Sequence, residues 1–320
     1  MKLTHTIFTA ILCLTSTLGF AQTSKKTIPY RFATQAEAQM LITDIDDYTN
    51  GWNQFDINAR LGKTDGRKSQ LLSLAMSSTL SWGDADKAKV NKAFKDIETA
   101  IKKQKLDISF PNEIILVKST MEEECGIESY TRKNWIAIGE NILKAGAETQ
   151  LKTAIAKELF HQLTRNDMNF KKAAYATIGF EVTGHEILFP SDLMEKRISD
   201  PDVTRYDSYI TLPVNGKDEK CTMVKYTSRP YSGGEIYDYI EIGLVPLNEQ
   251  LVPIQENGNT IIYPIEEVKS LYDKIGANTN DIENPETVLA SNFALILSGR
   301  TDIPNPEITG KLKSVLQQKF

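Results

Sequence analysis

Histidine is scarce in this chain: three in 320 residues, and His5 lies in a leading segment that reads as removable. Only His161 and His185 remain, which excludes a three-histidine metal site within one chain. Cysteine is equally sparse. Cys13 falls in the same leader, and the other two, Cys125 and Cys221, suit either a disulfide in an oxidising compartment or two buried thiols; the sequence leaves both open. Basic runs are absent and the formal net charge is −5, so nothing marks an electrostatic footprint for nucleic acid or anionic lipid. No G-x-S-x-G occurs, and so few histidines leave little room for a serine or cysteine hydrolase.

Long apolar runs are missing too, with one exception. After the single charge of Lys2, the stretch Thr6 to Phe20 is uncharged, and Gly19 and Ala21 put small residues before Gln22. This reads as a signal peptide over 1–21, too short and too poorly flanked by basic residues for a membrane span. Bulky Ile11 and Leu12 before Cys13 do not resemble a lipidation box. The expectation is a secreted or periplasmic protein, residues 22–320, with no transmembrane segment. Losing Lys2 moves its formal charge from −5 to −6. That length suffices for a substantial core, and no repeat, low-complexity tract or linker divides it.

Apolar spacing predicts a helical first third, 34–104. Helical stretches cover Thr34 to Tyr48, the segment WNQFDINARL, Ser69 to Leu80 and Asp84 to Gln104. β-rich segments follow at Ile114 to Thr120 and Tyr130 to Gly139, with Glu122, Glu123 and Glu124 read as a solvated turn between them. A helix over Leu151 to Asp167 comes next, then strands at Ser208 to Leu212, Thr222 to Thr227 and Tyr237 to Leu244. IQENGNTIIYP reads as a hairpin with Asn257-Gly258 or Gly258-Asn259 at its tip. A last helix has Asn284 as N-cap, Pro285 as first residue and Gly299 as terminator. The fold class is α+β, with a small sheet packed on the 151–167 helix.

That helix carries KELFH, one residue away from HELFH, an instance of the HExxH zinc pattern. Positions i and i+4 share a helix face, so two histidines there grip one metal ion. Here they are Lys157 and His161, with Glu158 at the general-base position. A lysine ammonium has three donors and no lone pair, so it cannot replace the histidine.

Segments in the same order, FPNEIILVKST, SYTRKNWIAI, KELFHQLTR, YATIGFE and NPETVLASNFAL, span roughly Phe110 to Leu297. Together they resemble a secreted bacterial zincin-like family of the HExxH type. The resemblance implies one zincin-like domain over 22–320, with its core at 108–299. It also implies that the last helix corresponds to the E-x-x-x-D element of neprilysin-type gluzincins. The third-ligand position is then Thr287 and the histidine-orienting position Ser291, with Glu286 turned away by about 100 degrees of helix rotation. Lys157, Thr287 and Ser291 all depart from the pattern. Catalytic zinc needs three protein ligands and an open position, so Glu158 is expected to be a vestigial base, with no cofactor.

The expected function is therefore a catalytically inactive, zinc-less relative of metallopeptidases that binds a peptide or protein. One alternative is an active zinc hydrolase using His161, Glu181 and His185. Glu181 lies 20 residues after His161, as does the third ligand of thermolysin-like gluzincins. The other alternative is a structural cell-envelope protein.

Overall fold

A computed structural model describes residues 27–144, 148–203, 205–214 and 216–320. The leader assigned to a signal peptide lies outside the described residues. Among those described, no helix is long and apolar enough to cross a membrane.

Strand β1 (Tyr30–Phe32) opens the described chain, followed by helices α1 (Gln35–Ile42), α2 (Asp47–Asn50), α3 (Gln54–Leu61) and α4 (Lys68–Ser78). The stretch expected as one helix over 34–48 is thus two. The Asp46 side chain accepts from the Thr49 N–H and caps a new start, which breaks the first helix at Ile42. The short strand β2 (Thr79–Leu80) precedes the long helix α5 (Asp84–Lys103), whose Val90, Phe94 and Ile97 are buried at helical spacing.

Strands β3 (Ile114–Ser119), β4 (Ser129–Arg132) and β5 (Trp135–Gly139) build the first sheet. Its order is β1-β3-β5-β4, with β2 antiparallel to β3 beside this path. β1, β3 and β5 run parallel, and β4 is an antiparallel edge strand. The single strand expected over 130–139 is therefore a hairpin. Lys133 has φ 45°, a left-handed turn conformation that reverses the chain at Lys133-Asn134.

Helices α6 (Glu140–Lys144), α7 (Glu148–Asn166) and α8 (Met168–Ala176) come next, then strand β6 (Phe180–Val182) and the short helix α9 (Ser191–Met194). Strands β7 (Ser208–Val214), β8 (Lys217–Tyr226) and β9 (Glu241–Leu247) extend β6 into an antiparallel sheet. The small hairpin of β10 (Gln255–Glu256) and β11 (Asn259–Thr260) turns at Asn257-Gly258, both at positive φ, and β12 (Tyr263–Pro264) completes the second sheet beside β9.

Three helices close the chain: α10 (Lys269–Ile275), α11 (Pro285–Ser298) and α12 (Pro306–Leu316). α11 has the punctuation expected of it. Asn284 caps the Thr287 N–H, Pro285 sits in the first turn and Gly299 stands in the left-handed region. α12 was not anticipated; it buries Ile308, Leu312 and Leu316.

One core cluster joins both sheets to α5, α7, α11 and α12. In it Leu151, Ile155 and Leu159 of α7 lie with Ile114, Leu116, Ile136 and Ile138 of the first sheet. Phe160 of α7 meets Phe293 of α11 at a centroid distance of 5.7 Å. Truncating either ring would cost about 3–5 kcal/mol. The chain is therefore a mixed helix-and-sheet protein in which α7 lies between the first sheet and α11.

Candidate functional site

α7 is amphipathic in an unusual sense, since the stripe facing α11 and β4 is polar yet buried. Glu158 and His161, three residues apart, are 3% and 2% exposed. Burying such groups is costly unless each is paired or hydrogen-bonded, and here their partners are identifiable.

Glu158 is held by the edge strand. Ser129 Oγ donates to its Oε1 at 2.6 Å and Thr131 Oγ1 to its Oε2 at 2.7 Å. Residues two apart on a strand share a face, which is why both hydroxyls reach one carboxylate. The Thr131 N–H, on the free edge of β4, donates to Asp202 Oδ1 at 2.6 Å. Arg165 fixes the loop carrying Asp202 by donating to the carbonyls of Pro201 and Asp202.

His161 is held by α11. Its Nδ1 lies 3.0 Å from Glu286 Oε1. Thr164 Oγ1 and Tyr175 OH donate to the same carboxylate at 2.5 and 2.6 Å. Burial pushes the Glu286 carboxyl up, but the His161 bond and charge outweigh it and hold the group below its ordinary range. Burial likewise disfavours the imidazolium, yet Asp202, the Glu286 bond and Glu158 raise His161 to about 9. Asp202 is pushed well above the usual carboxylate range by burial and by Glu158, with His161 opposing.

Glu286 thus corrects the helix-rotation argument: it faces His161 and is 4% exposed. Rotation along α11 alone did not locate it, because α11 crosses α7 so that Glu286 packs on His161 while Thr287, one residue on, faces a cavity beside it. Lys157 forms an ion pair with Asp281, whose Oδ2 also accepts from Ser291 Oγ at 2.8 Å. Positions 157 and 291 therefore meet through Asp281. Thr287 lines this cavity together with Lys157, Glu158 and His161, but its hydroxyl turns back to the Asn284 carbonyl at 3.0 Å.

The zinc arrangement implied by the resemblance does not fit these residues. Lys157 offers a cation engaged by Asp281, and Thr287 offers a hydroxyl committed to its own helix. The alternative set is not assembled either. Glu181 is an exposed residue of β6 that accepts from Tyr209 OH at 2.8 Å, and His185 is exposed beyond it. Among the described residues, the group of potential metal donors brought together is Glu158, His161 and Asp202.

Cys125 and Cys221 are both free, so the candidate disulfide does not form. Burial raises their thiols to about 11 and about 12 respectively. The glutamates read as a solvated turn are also different: Glu123 and Glu124 are buried. Glu124 accepts from Tyr48 OH at 2.5 Å and pairs with Arg60 at 2.8 Å.

Above these residues lies a cavity of about 410 Å3. Its lining includes Gly126 to Ser129 leading into β4, Lys157, Glu158 and His161 of α7, Asp200 and Asp202, Tyr237, and Thr287 of α11. Lys225 also reaches it, bound to Asp200 and Glu283 at 2.8 and 2.7 Å. Comparison with family models, with curated proteins and with solved structures returns no match.

Proposed function

We propose that this chain is a zincin-like, exported relative of HExxH metallopeptidases that has lost peptidase chemistry and binds a peptide or protein in its cleft. The observation that carries this reading is the Lys157–Asp281–Ser291 cluster. It places a cation, tied to a carboxylate, where the resemblance requires a metal ligand and its orienting group.

Glu158 fits the same reading. Both its oxygens accept hydroxyls from β4, so it is engaged in holding the sheet to α7. The cavity favours a binding role over a purely structural one, because its space is not filled by side chains. An extended ligand has a natural path along Gly126 to Ser129, at the entrance to an edge strand, where main-chain pairing supplies affinity.

The test is to incubate the mature chain with a mixed peptide library, with and without Zn2+, and analyse bound and free peptides by mass spectrometry. Retention of intact peptides without new termini supports the reading. Cleavage that Glu158→Gln abolishes would overturn it in favour of a hydrolase. Failure to retain any peptide would favour the structural alternative.

A further inference from the structure

The imidazole of His161 is committed on one side only. Its Nδ1 belongs to Glu286, while Nε2 has no hydrogen-bond partner among the described residues, although the side chain is only 3% exposed. Nε2 lies 4.0 Å from Asp202 Oδ2, too far for a hydrogen bond. Glu158 stands three residues earlier on the same helix face. One donor atom from each of Glu158, His161 and Asp202 lies within 4.8 Å of the others.

We infer that Glu158, His161 and Asp202 form a binding site for a divalent first-row transition ion such as Zn2+ or Mn2+. One imidazole and two carboxylates are a donor set for that class of ion. Two ligands at about 2.0–2.2 Å from one ion in tetrahedral geometry stand about 3.4 Å apart. The 4.0 Å His161–Asp202 gap and the position of Glu158 therefore each close on an ion by a small movement. A Glu-x-x-His pair on one helix is an established way to direct two ligands at one ion.

The supporting shell is already in place. Glu286 fixes the His161 ring with Nε2 outward, the carboxylate–histidine arrangement that orients metal-ligating imidazoles. Ser129 and Thr131 hydroxyls orient Glu158, and the Thr131 N–H orients Asp202. This ligand set shares only His161 with the one implied by the resemblance and excludes Lys157 and Thr287. With Glu158 serving as a ligand, no carboxylate of this group remains as general base. The bound ion would instead leave positions open for an oxygen donor, such as a ligand carboxylate, in the cavity above. Ion binding does not depend on the peptide-binding reading.

The experiment uses the chelator-treated mature chain, titrated calorimetrically with Zn2+ and, separately, Mn2+. One ion per chain is expected. Asp202→Asn, which keeps an acceptor for the Thr131 N–H, should weaken binding at least about ten-fold, and Glu286→Gln about 10–100-fold. With Co2+ as probe, both variants should shift the visible absorption bands. Circular dichroism verifies folding, and Asp202→Asn decides the matter if a His161→Gln variant fails to fold. Absence of stoichiometric uptake, or uptake unchanged in Asp202→Asn, overturns the inference.

Discussion

His161 of α7 and Glu286 of α11 face each other at 3.0 Å in the protein interior, 125 residues apart in sequence. The carboxylate also takes hydroxyl donors from Thr164 and Tyr175, so one side chain satisfies three buried groups on two helices. Glu286→Ala strands all three at once. Removing one partner of a buried charged pair costs about 3–5 kcal/mol. Urea denaturation of Glu286→Ala should show a loss in that range, with Glu286→Gln losing less because it keeps an acceptor. A loss below about 1 kcal/mol for Glu286→Ala would contradict the packing described.

The Lys157–Asp281 pair should behave differently. Their side chains are 33% and 48% exposed, so solvent screens the attraction. Such pairs contribute about 0.2–1 kcal/mol, and Lys157→Met should lower stability by no more than that. Rebuilding the zinc pattern with Lys157→His, Thr287→Glu and Ser291→Asp is another matter. It removes both partners of Asp281 and sets a new carboxylate beside it. Adding Asp281→Asn should then raise the melting temperature of the metal-free triple variant, while leaving the native chain unchanged or less stable. If Asp281→Asn shifts both backgrounds alike, the cluster at Asp281 is not what links these positions.

What was legible in the sequence was local. Asn284, Pro285 and Gly299 mark the ends of α11 by their own backbone chemistry, and Asn257-Gly258 marks a hairpin turn in the same way. Lys133 splits a predicted strand because a left-handed lysine leaves no compositional trace. Asp202 is harder still. SDPDV reads only as a loop, and its meeting with Thr131 joins residues 71 apart. The pairing of Ser129 and Thr131 on one strand face was available from period-two spacing; which carboxylate they hold was not. Glu286 went astray because a rotation angle along one helix says nothing about where a second helix crosses it.

Glu123 supplies a pH test away from the cavity floor. It is 2% exposed, and burial raises its carboxyl from 4.5 to about 6, although the Ser119 hydroxyl at 2.7 Å opposes the shift. A carboxyl raised by folding binds its proton more tightly in the native state. Its stabilising contribution is therefore complete below about 4.5 and is lost as pH rises through about 6. The difference corresponds to about 2 kcal/mol at neutral pH. Glu123→Gln should accordingly stabilise the chain at pH 7.5 by about 1–2 kcal/mol and by much less at pH 4.5. Denaturant midpoints at the two pH values measure it, and equal shifts at both would exclude a buried, raised carboxyl.

Gly276 ends α10 with φ 69° and ψ −168°, a conformation open almost only to glycine. A Cβ there would lie 2.4 Å from Ile308 Cδ1 and 2.9 Å from Asn305 Oδ1. These are the residues that seat α12. Asn305 accepts the Ala277 N–H at 2.8 Å, and its own N–H donates to Asn278 Oδ1 at 2.7 Å. Backbone strain of this kind costs about 1–3 kcal/mol, and here the clash falls on the docking of one helix. Gly276→Ala should thus accelerate amide hydrogen exchange across α12 by about ten-fold or more while leaving β3 and α7 protected. Exchange accelerated equally in all three elements would mean that α12 is not a separately seated unit, and an unchanged pattern would mean that Gly276 does not hold it.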